Sequence, residues 1–503
     1  MGFSAVDYAV LLVYLVGITI FGMMFRRTQH TARDYFVGAR RTHWFVICLS
    51  IVATETSTLT LIGVPAIAYA TFARPEQGGT LTFLQLVFGY LVARVLISAI
   101  LIPAYFRGNL LTAYELLDRR FGSRARHFTA SLFLLMRALA EGVRLFATSL
   151  VVAAVLSASL PSMPHLWLWS IVIVGVLTLI YTFEGGMAAV IWTDLIQFVI
   201  YVGGSLVAGY NLLGLIPGGW HTVSAQALEA GKFQLLSFSW DLTLPYTFWA
   251  GLAGGTFLTM ASHGTDQLMV QRLFTCRSKR DSQKALIASG FIVLAQFAFF
   301  LVIGIMLFSF YRFHPLPTLT STDQVFPMFI VQNLPSGVSG LVIAAIFAAA
   351  MSTLSGALNS MSTTTVVDFY GPLVGERRSE SHMLRVSRWF TVLWGAVLIG
   401  VAVIASGWGS VLTAGLSIAS LVYGPMLGAF LLGVLTRRAN QTGVMAGIGV
   451  SLVGMLLIKN FTPLAWTWYV LVGTLICASV GYAVSVTTSA RANAGARAAS
   501  EEA

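Results

Sequence analysis

Charge is what this chain has least of. Only 10% of its 503 residues are Asp, Glu, Lys or Arg, whereas a soluble domain carries roughly 25%. That excludes an ordinary water-exposed globule. Cysteine is also scarce. Cys48, Cys276 and Cys477 lie far apart with no CxxC pair, so their spacing implies neither a disulfide framework nor a thiolate metal site. The eight histidines form no HExxH motif and no cluster. No Lys or Arg precedes the first apolar run, Arg26 and Arg27 follow it, and no A-x-A cleavage site is evident. The N-terminus therefore reads as a retained first helix with its start outside, not a cleaved signal peptide. The long apolar runs lack strict alternation, which excludes a transmembrane barrel.

What remains is hydrophobic. Apolar residues make up 57% of the chain and the mean hydropathy is +0.81. The expectation is an all-α integral membrane protein of about 13 transmembrane helices. The apolar segments run over 5–25, 43–71, 79–106, 128–158, 165–182, 188–215, 246–266, 285–311, 338–369, 387–405, 409–435, 441–459 and 465–487. Most reach about 18 residues, enough to span a bilayer with some tilt. Residues 1–487 read as one membrane domain and 488–503 as a short, disordered cytoplasmic tail. The net charge of +11 is a topology signal rather than a nucleic-acid footprint. With the N-terminus outside, most Lys and Arg, including those of 272–284, fall in alternate, inner loops, while Arg74, Lys232, Arg312 and Lys459 fall outside. The C-terminus is then cytoplasmic. Thr112 and Glu115 match a capping box for a short helix that Gly122 would stop.

Four constellations carry chemistry. Within Phe347 to Ser360, FAAAMSTLSGALNS, the hydroxyls of Ser352, Thr353 and Ser355 lie at a depth without water. Their partners are either carbonyls one turn back or a small hard cation that prefers oxygen ligands. Cys48 to Gly63 crowds Thr54, Glu55, Thr56, Ser57, Thr58 and Thr60 into mid-segment. Such residues weaken helix, and an unwound stretch exposes carbonyls that bind an ion or solute. Glu55 near the midplane is costly and so marks either function or a paired structural carboxylate. In Tyr246 to Gln267, Gly251 and Gly255 have GxxxG spacing and Gly254 adds a further small residue. They read as close helix packing, or as a second broken helix. Arg137, Glu141 and Arg144, spaced i, i+4, i+7, share one helix face. They form either an ion-pair ladder or a carboxylate site with a spare Arg. Asp194 caps the start of the sixth segment or reaches a cation, and His263 reads as packing or gate.

Three motifs in order, GGMAAVIWTDLIQ (Gly185 to Gln197), GTDQLMVQRLF (Gly264 to Phe274) and AAAMSTLSGALNS ending at Ser360, resemble the sodium/solute symporter family, as does LLTAYELLDRRFG. The resemblance covers about 5–435. It implies a LeuT-type fold, a 5+5 inverted repeat (about 43–215 and 246–435) preceded by one N-terminal helix. It also implies sodium held by the carbonyls of Ala53, Thr56 and Ala349 and the hydroxyls of Ser352 and Thr353. A second ion in some members uses Asp194 and Ser355, but Gly356 supplies no hydroxyl, so one sodium per cycle is expected. Where sugar carriers have Glu, Asn, Gln and Asn, this chain has Val87, Glu55, Thr60 and Thr259, so a free sugar is not expected. Glu55 resembles the acidic residue of proline carriers, although Leu59 replaces their following aromatic.

The resulting expectation is a sodium-coupled secondary symporter of the bacterial cytoplasmic membrane, not an enzyme. It imports a small organic solute, carboxylate or amino-acid-like, by alternating access, with Na+ as the coupling ion. Glu55, Ser57, Thr60, Arg144 and Thr259 are the substrate-binding candidates. The partners are solute, sodium and the lipid bilayer, with no nucleic acid and no obligate protein. The alternative is a transporter-like sensor that binds solute without turnover.

Overall fold

The computed structural model describes residues 4–38, 42–108, 110–157, 163–315, 322–375, 379–406 and 411–501. Among these the chain is helical without strands. Its helices include α1 (Ala5–Met23), α2 (Trp44–Glu55), α3 (Thr58–Tyr69), α4 (Leu84–Tyr105), α5 (Ser123–Ser157), α6 (Leu166–Leu215), α7 (Gly255–Gly264), α8 (Gln267–Phe274), α9 (Lys279–Phe310), α10 (Val338–Thr364), α11 (Glu380–Ala405), α12 (Val411–Leu435), α13 (Gln441–Phe461) and α14 (Tyr469–Glu501).

By length and composition, eight of the described helices can cross a membrane, or nine if the bent pair α2–α3 is one span. That is fewer than the thirteen apolar segments of the sequence. Helix α5 carries Arg137, Glu141 and Arg144 in its middle. The seventh segment is split between a π-helical turn, Ala250–Gly254, and the short α7. The fifth and sixth segments are one 50-residue helix, α6, kinked at Gly186. Gly186 has φ 53° and ψ −148° there, backbone that L side chains avoid. A methyl on it would also lie 2.6 Å from the carbonyl of Tyr35. Tyr35, from the short helix Ala32–Val37, wedges the kink and donates from its hydroxyl to the Thr182 carbonyl (3.0 Å).

Helix α10 is the axis. Every residue from Val342 to Thr364 is buried, as expected of a helix that is apolar or small all round. It packs against α6, α1, α5 and α11. Its start is pinned by Asp7 of α1, whose Oδ1 accepts the N–H groups of Gly337 (2.8 Å) and Gly340 (2.7 Å), a carboxylate at a helix N-terminus. Gly251 and Gly255 serve close packing: a methyl at either would collide with the α4 backbone at Gln85 or Leu86. The backbone stays right-handed through Ala250–Gly254, and the interruption falls later, at Thr265–Asp266.

Two local expectations are corrected. Glu115 reaches back to the N–H groups of Leu111 (2.7 Å) and Thr112 (3.3 Å), but the Thr112 hydroxyl donates to Asp368 instead of closing a capping box. The tail is not without structure: α14 continues to Glu501, consistent with the high helix propensity of its alanines.

Candidate functional site

The site begins at a break. Helices α2 and α3 meet at 63°, with Thr56 and Ser57 between them in non-helical conformations. The break falls inside the Thr-Glu-Thr-Ser-Thr run, whose side chains compete with the backbone for hydrogen bonds. The Thr56 hydroxyl turns back to the Val52 carbonyl (2.9 Å) and takes a bond from Gln296 Nε2 (2.9 Å). The Ser57 N–H goes to Glu55 O (3.2 Å) and the Thr60 N–H to Ser57 O (2.9 Å). In a continuous helix those two donors would have served the carbonyls of Ala53 and Thr56. The break therefore releases the Ala53 and Thr56 carbonyls, which the resemblance assigns to sodium. Opposite them on α10, the Thr353 hydroxyl reaches Thr54 O (3.3 Å) and Ala349 O (3.2 Å). Both bonds are long for a hydroxyl donor.

Beside this lies a sealed ion pair. Asp194 is fully buried and sits two turns past the Gly186 kink, so it is not a helix cap. Its carboxylate accepts from Ser352 (2.6 Å), Ser50 (2.5 Å) and Arg272 Nη2 (3.0 Å). Arg272 Nε also donates to Ser50 Oγ (3.0 Å) and Nη1 to Leu268 O (2.6 Å). Arg272 is not the loop residue expected from its neighbours. It lies on α8 and is 1% exposed. A methyl at Gly356 would lie 2.6 Å from its Nη2, so the missing side chain makes room for the guanidinium. The Ser355 hydroxyl bonds within its own helix, to Ser352 O (3.0 Å).

A second polar group opens onto space. A small cavity, about 20 Å³, is lined by Ser57, Thr58, Glu141, Arg144, Thr148 and Thr353, among others. Glu141 Oε1 accepts from Arg137 (2.8 Å) and Arg144 (2.9 Å). Arg137 is further held by Asp266 and by the Tyr423 hydroxyl (3.0 Å), which donates in turn to Asp266 (2.8 Å). The Arg144 side chain is 30% exposed, that of Arg137 only 3%. Among the described residues no other polar group holds Nε or Nη2 of Arg144.

Ser57, Arg144 and Thr353 thus come together at the cavity. Glu55, Thr60 and Thr259 do not line it. Glu55 is paired with Arg94 of α4, and His263 Nε2 lies 3.4 Å from its carboxylate. Thr60 is half-buried on α3, and Thr259 is buried on α7. Sequence reasoning missed Arg272, Asp266 and Ser50. The GTDQLMVQRLF motif contains two of them, but their partners are distant in sequence.

A helix broken beside freed carbonyls, next to a buried hydroxyl pair and an arginine-lined cavity, defines the class: a secondary transporter that binds ion and solute between helices. The chain belongs to the sodium:solute symporter family, whose model matches residues 35–451. It is 32% identical over 491 residues to the sodium/sialic acid symporter NanT of Aliivibrio fischeri, covering 95% of this chain and 93% of that protein. It is 30% identical to the human sodium/iodide cotransporter, covering 90% of this chain and 69% of that one. Among solved structures it resembles the substrate-bound outward-open state of a Na+-coupled sialic acid symporter, with TM-score 0.85 and 28% identity over 96% of this chain and 98% of that one. The protein is a multi-pass membrane symporter that couples solute to sodium, and not an enzyme.

Proposed function

We propose that the chain imports a small organic anion bearing a carboxylate together with one sodium ion. The observation that carries this is Arg144, which faces the cavity with part of its guanidinium unengaged. A planar fork of that kind matches a carboxylate in two parallel bonds. Charge balance supports the same solute. Four pairs around the site, Arg94–Glu55, Arg137–Asp266, Arg144–Glu141 and Arg272–Asp194, are each formally neutral. One Na+ adds a charge that one monoanion cancels. Sialic acid and iodide, the solutes in the names of two relatives, are both anions.

In this reading sodium sits among the carbonyls of Ala53, Thr56 and Ala349 and the hydroxyls of Ser352 and Thr353, an oxygen shell suited to a hard cation. Ser352 uses its proton on Asp194, which leaves its lone pairs to accept an ion. A second ion at Asp194 and Ser355 is not part of the cycle, because Arg272 already supplies the positive charge there. Ion binding orders the α2–α3 junction, solute binds beside Ser57 and Arg144, and the two share a coupling free energy. Of the thirteen apolar segments, the ten that follow the first form a LeuT-type 5+5 repeat and two come after it, with the N-terminus outside and the C-terminus inside a bacterial cytoplasmic membrane.

Proteoliposome uptake tests this. With an inward sodium gradient, labelled sialic acid or lactate is expected to accumulate saturably while glucose does not, and the reversal potential should give one Na+ per solute. Accumulation of glucose alone would overturn the carboxylate reading, and two ions per solute would overturn the role given to Arg272. Saturable binding without accumulation would favour a sensor.

A further inference from the structure

Lys232 lies between α6 and α7, just after the helix Gly219–Glu229, and is 2% exposed. A buried ammonium ordinarily needs an acidic partner. Among the described residues Lys232 has none. Its Nζ instead donates to four backbone carbonyls, those of Ala68 (2.9 Å), Tyr69 (3.1 Å), Ala70 (3.0 Å) and Gly79 (3.1 Å). The ring of Phe308 on α9 closes the cage, with its centroid 4.2 Å from Nζ, a cation–π contact.

Three of these carbonyls belong to one helix end. Ala68 and Tyr69 finish α3 and Ala70 is its cap. A helix leaves its last carbonyls unpaired and carries partial negative charge there. The Ala66 and Ile67 carbonyls take the N–H groups of Ala70 (3.0 Å) and Gly79 (2.7 Å). The rest of the end depends on a single side chain. Burial, reinforced by the charge of Arg312, pushes the Lys232 amine down to about 8, so at neutral pH it is still the ammonium that meets the carbonyls.

The other end of α3 is the break. Helix α3 is 12 residues long. It begins at Ser57 and Thr58 on the cavity and packs closely on α9, where a methyl at Gly304 would strike Ala68 and the Pro65 backbone. Helix α3 is thus held along its side by α9 and at its C-terminal end by Lys232, and it starts at the junction that carries the Thr56 carbonyl.

Resting on the sodium site proposed above, we propose that Lys232 is a positioning residue for sodium binding. Its caged ammonium holds α3 in the orientation that presents the broken-helix carbonyls to the ion. Losing the charge lets α3 sample other angles, and apparent affinity falls in proportion to the competent fraction.

The test uses 22Na+ binding to the purified full-length protein in nanodiscs, which needs no knowledge of the solute. Lys232→Met keeps the stem and removes the charge. It is expected to weaken sodium binding about tenfold. Lys232→Ala should bind as weakly and regain affinity in millimolar propylammonium but not in propanol, with wild-type affinity unmoved by either. Wild-type affinity in Lys232→Met, or equal restoration by propylammonium and propanol, would overturn the proposal. If neither variant is recovered from membranes, Phe308→Leu removes only the aromatic face. About threefold weaker sodium binding then supports the cage, and unchanged affinity rejects it.

Discussion

Two groups of buried charge sit within the same helical core and behave differently. Around Asp194, every listener is already engaged: Ser50, Ser352 and Arg272 converge on one carboxylate, and Gly356 shapes the space for the guanidinium. Around Glu141, one side is equally closed, with Arg137 tied to Asp266 and Tyr423. The other side ends in Arg144, part of whose fork faces a cavity. A closed pair holds helices together, because opening it would strand a charge in low dielectric. An open pair can exchange its partner for a ligand at little cost. The difference separates scaffold from site within a single set of arginine–carboxylate contacts.

The largest effect is expected at the closed pair. Arg272→Met strands Asp194 and should cost about 3–5 kcal/mol, read as loss of monodisperse protein after extraction. Adding Asp194→Asn to it should return much of that stability. If Arg272→Met alone is as stable as wild type, the sealed cluster is not the scaffold element described. Between the two groups lies the hydroxyl pair. Ser352→Ala or Thr353→Ala removes an oxygen ligand and should weaken apparent sodium affinity by about 1–3 kcal/mol. Unchanged sodium dependence of uptake in both would move the ion elsewhere. The smallest effect belongs to the open pair. Arg144→Lys keeps the charge but loses the planar fork. It should raise the KM for a carboxylate solute about tenfold with 22Na+ binding nearly unaltered. Indifference of carboxylate uptake to this change would dissolve the contrast between open and closed pairs.

Much of the site was legible before the structure. The hydroxyl run at Thr54–Thr60 marked the break, because side chains that bond locally undermine helix wherever they cluster. The i, i+4, i+7 ladder of Arg137, Glu141 and Arg144 followed from helix geometry alone. Glu55 was legible as a costly buried carboxylate, but its partner, Arg94, lies 39 positions away on α4. Arg272 was misread as a loop residue because basic neighbours follow it, although α8 turns it inward.

Composition by itself determined the class: a chain with so little charge and so many long apolar runs must satisfy its backbone within helices inside a bilayer. Local pattern determined where one helix breaks and which hydroxyls lie at depth. Only the tertiary structure decided which charges close on each other and which face space. Pairings such as Arg272–Asp194, Arg137–Asp266 and Lys232–Ala68 join residues 78 to 164 positions apart. No periodicity within a helix encodes such a distance; it is set by how α3, α6, α8 and α10 pack.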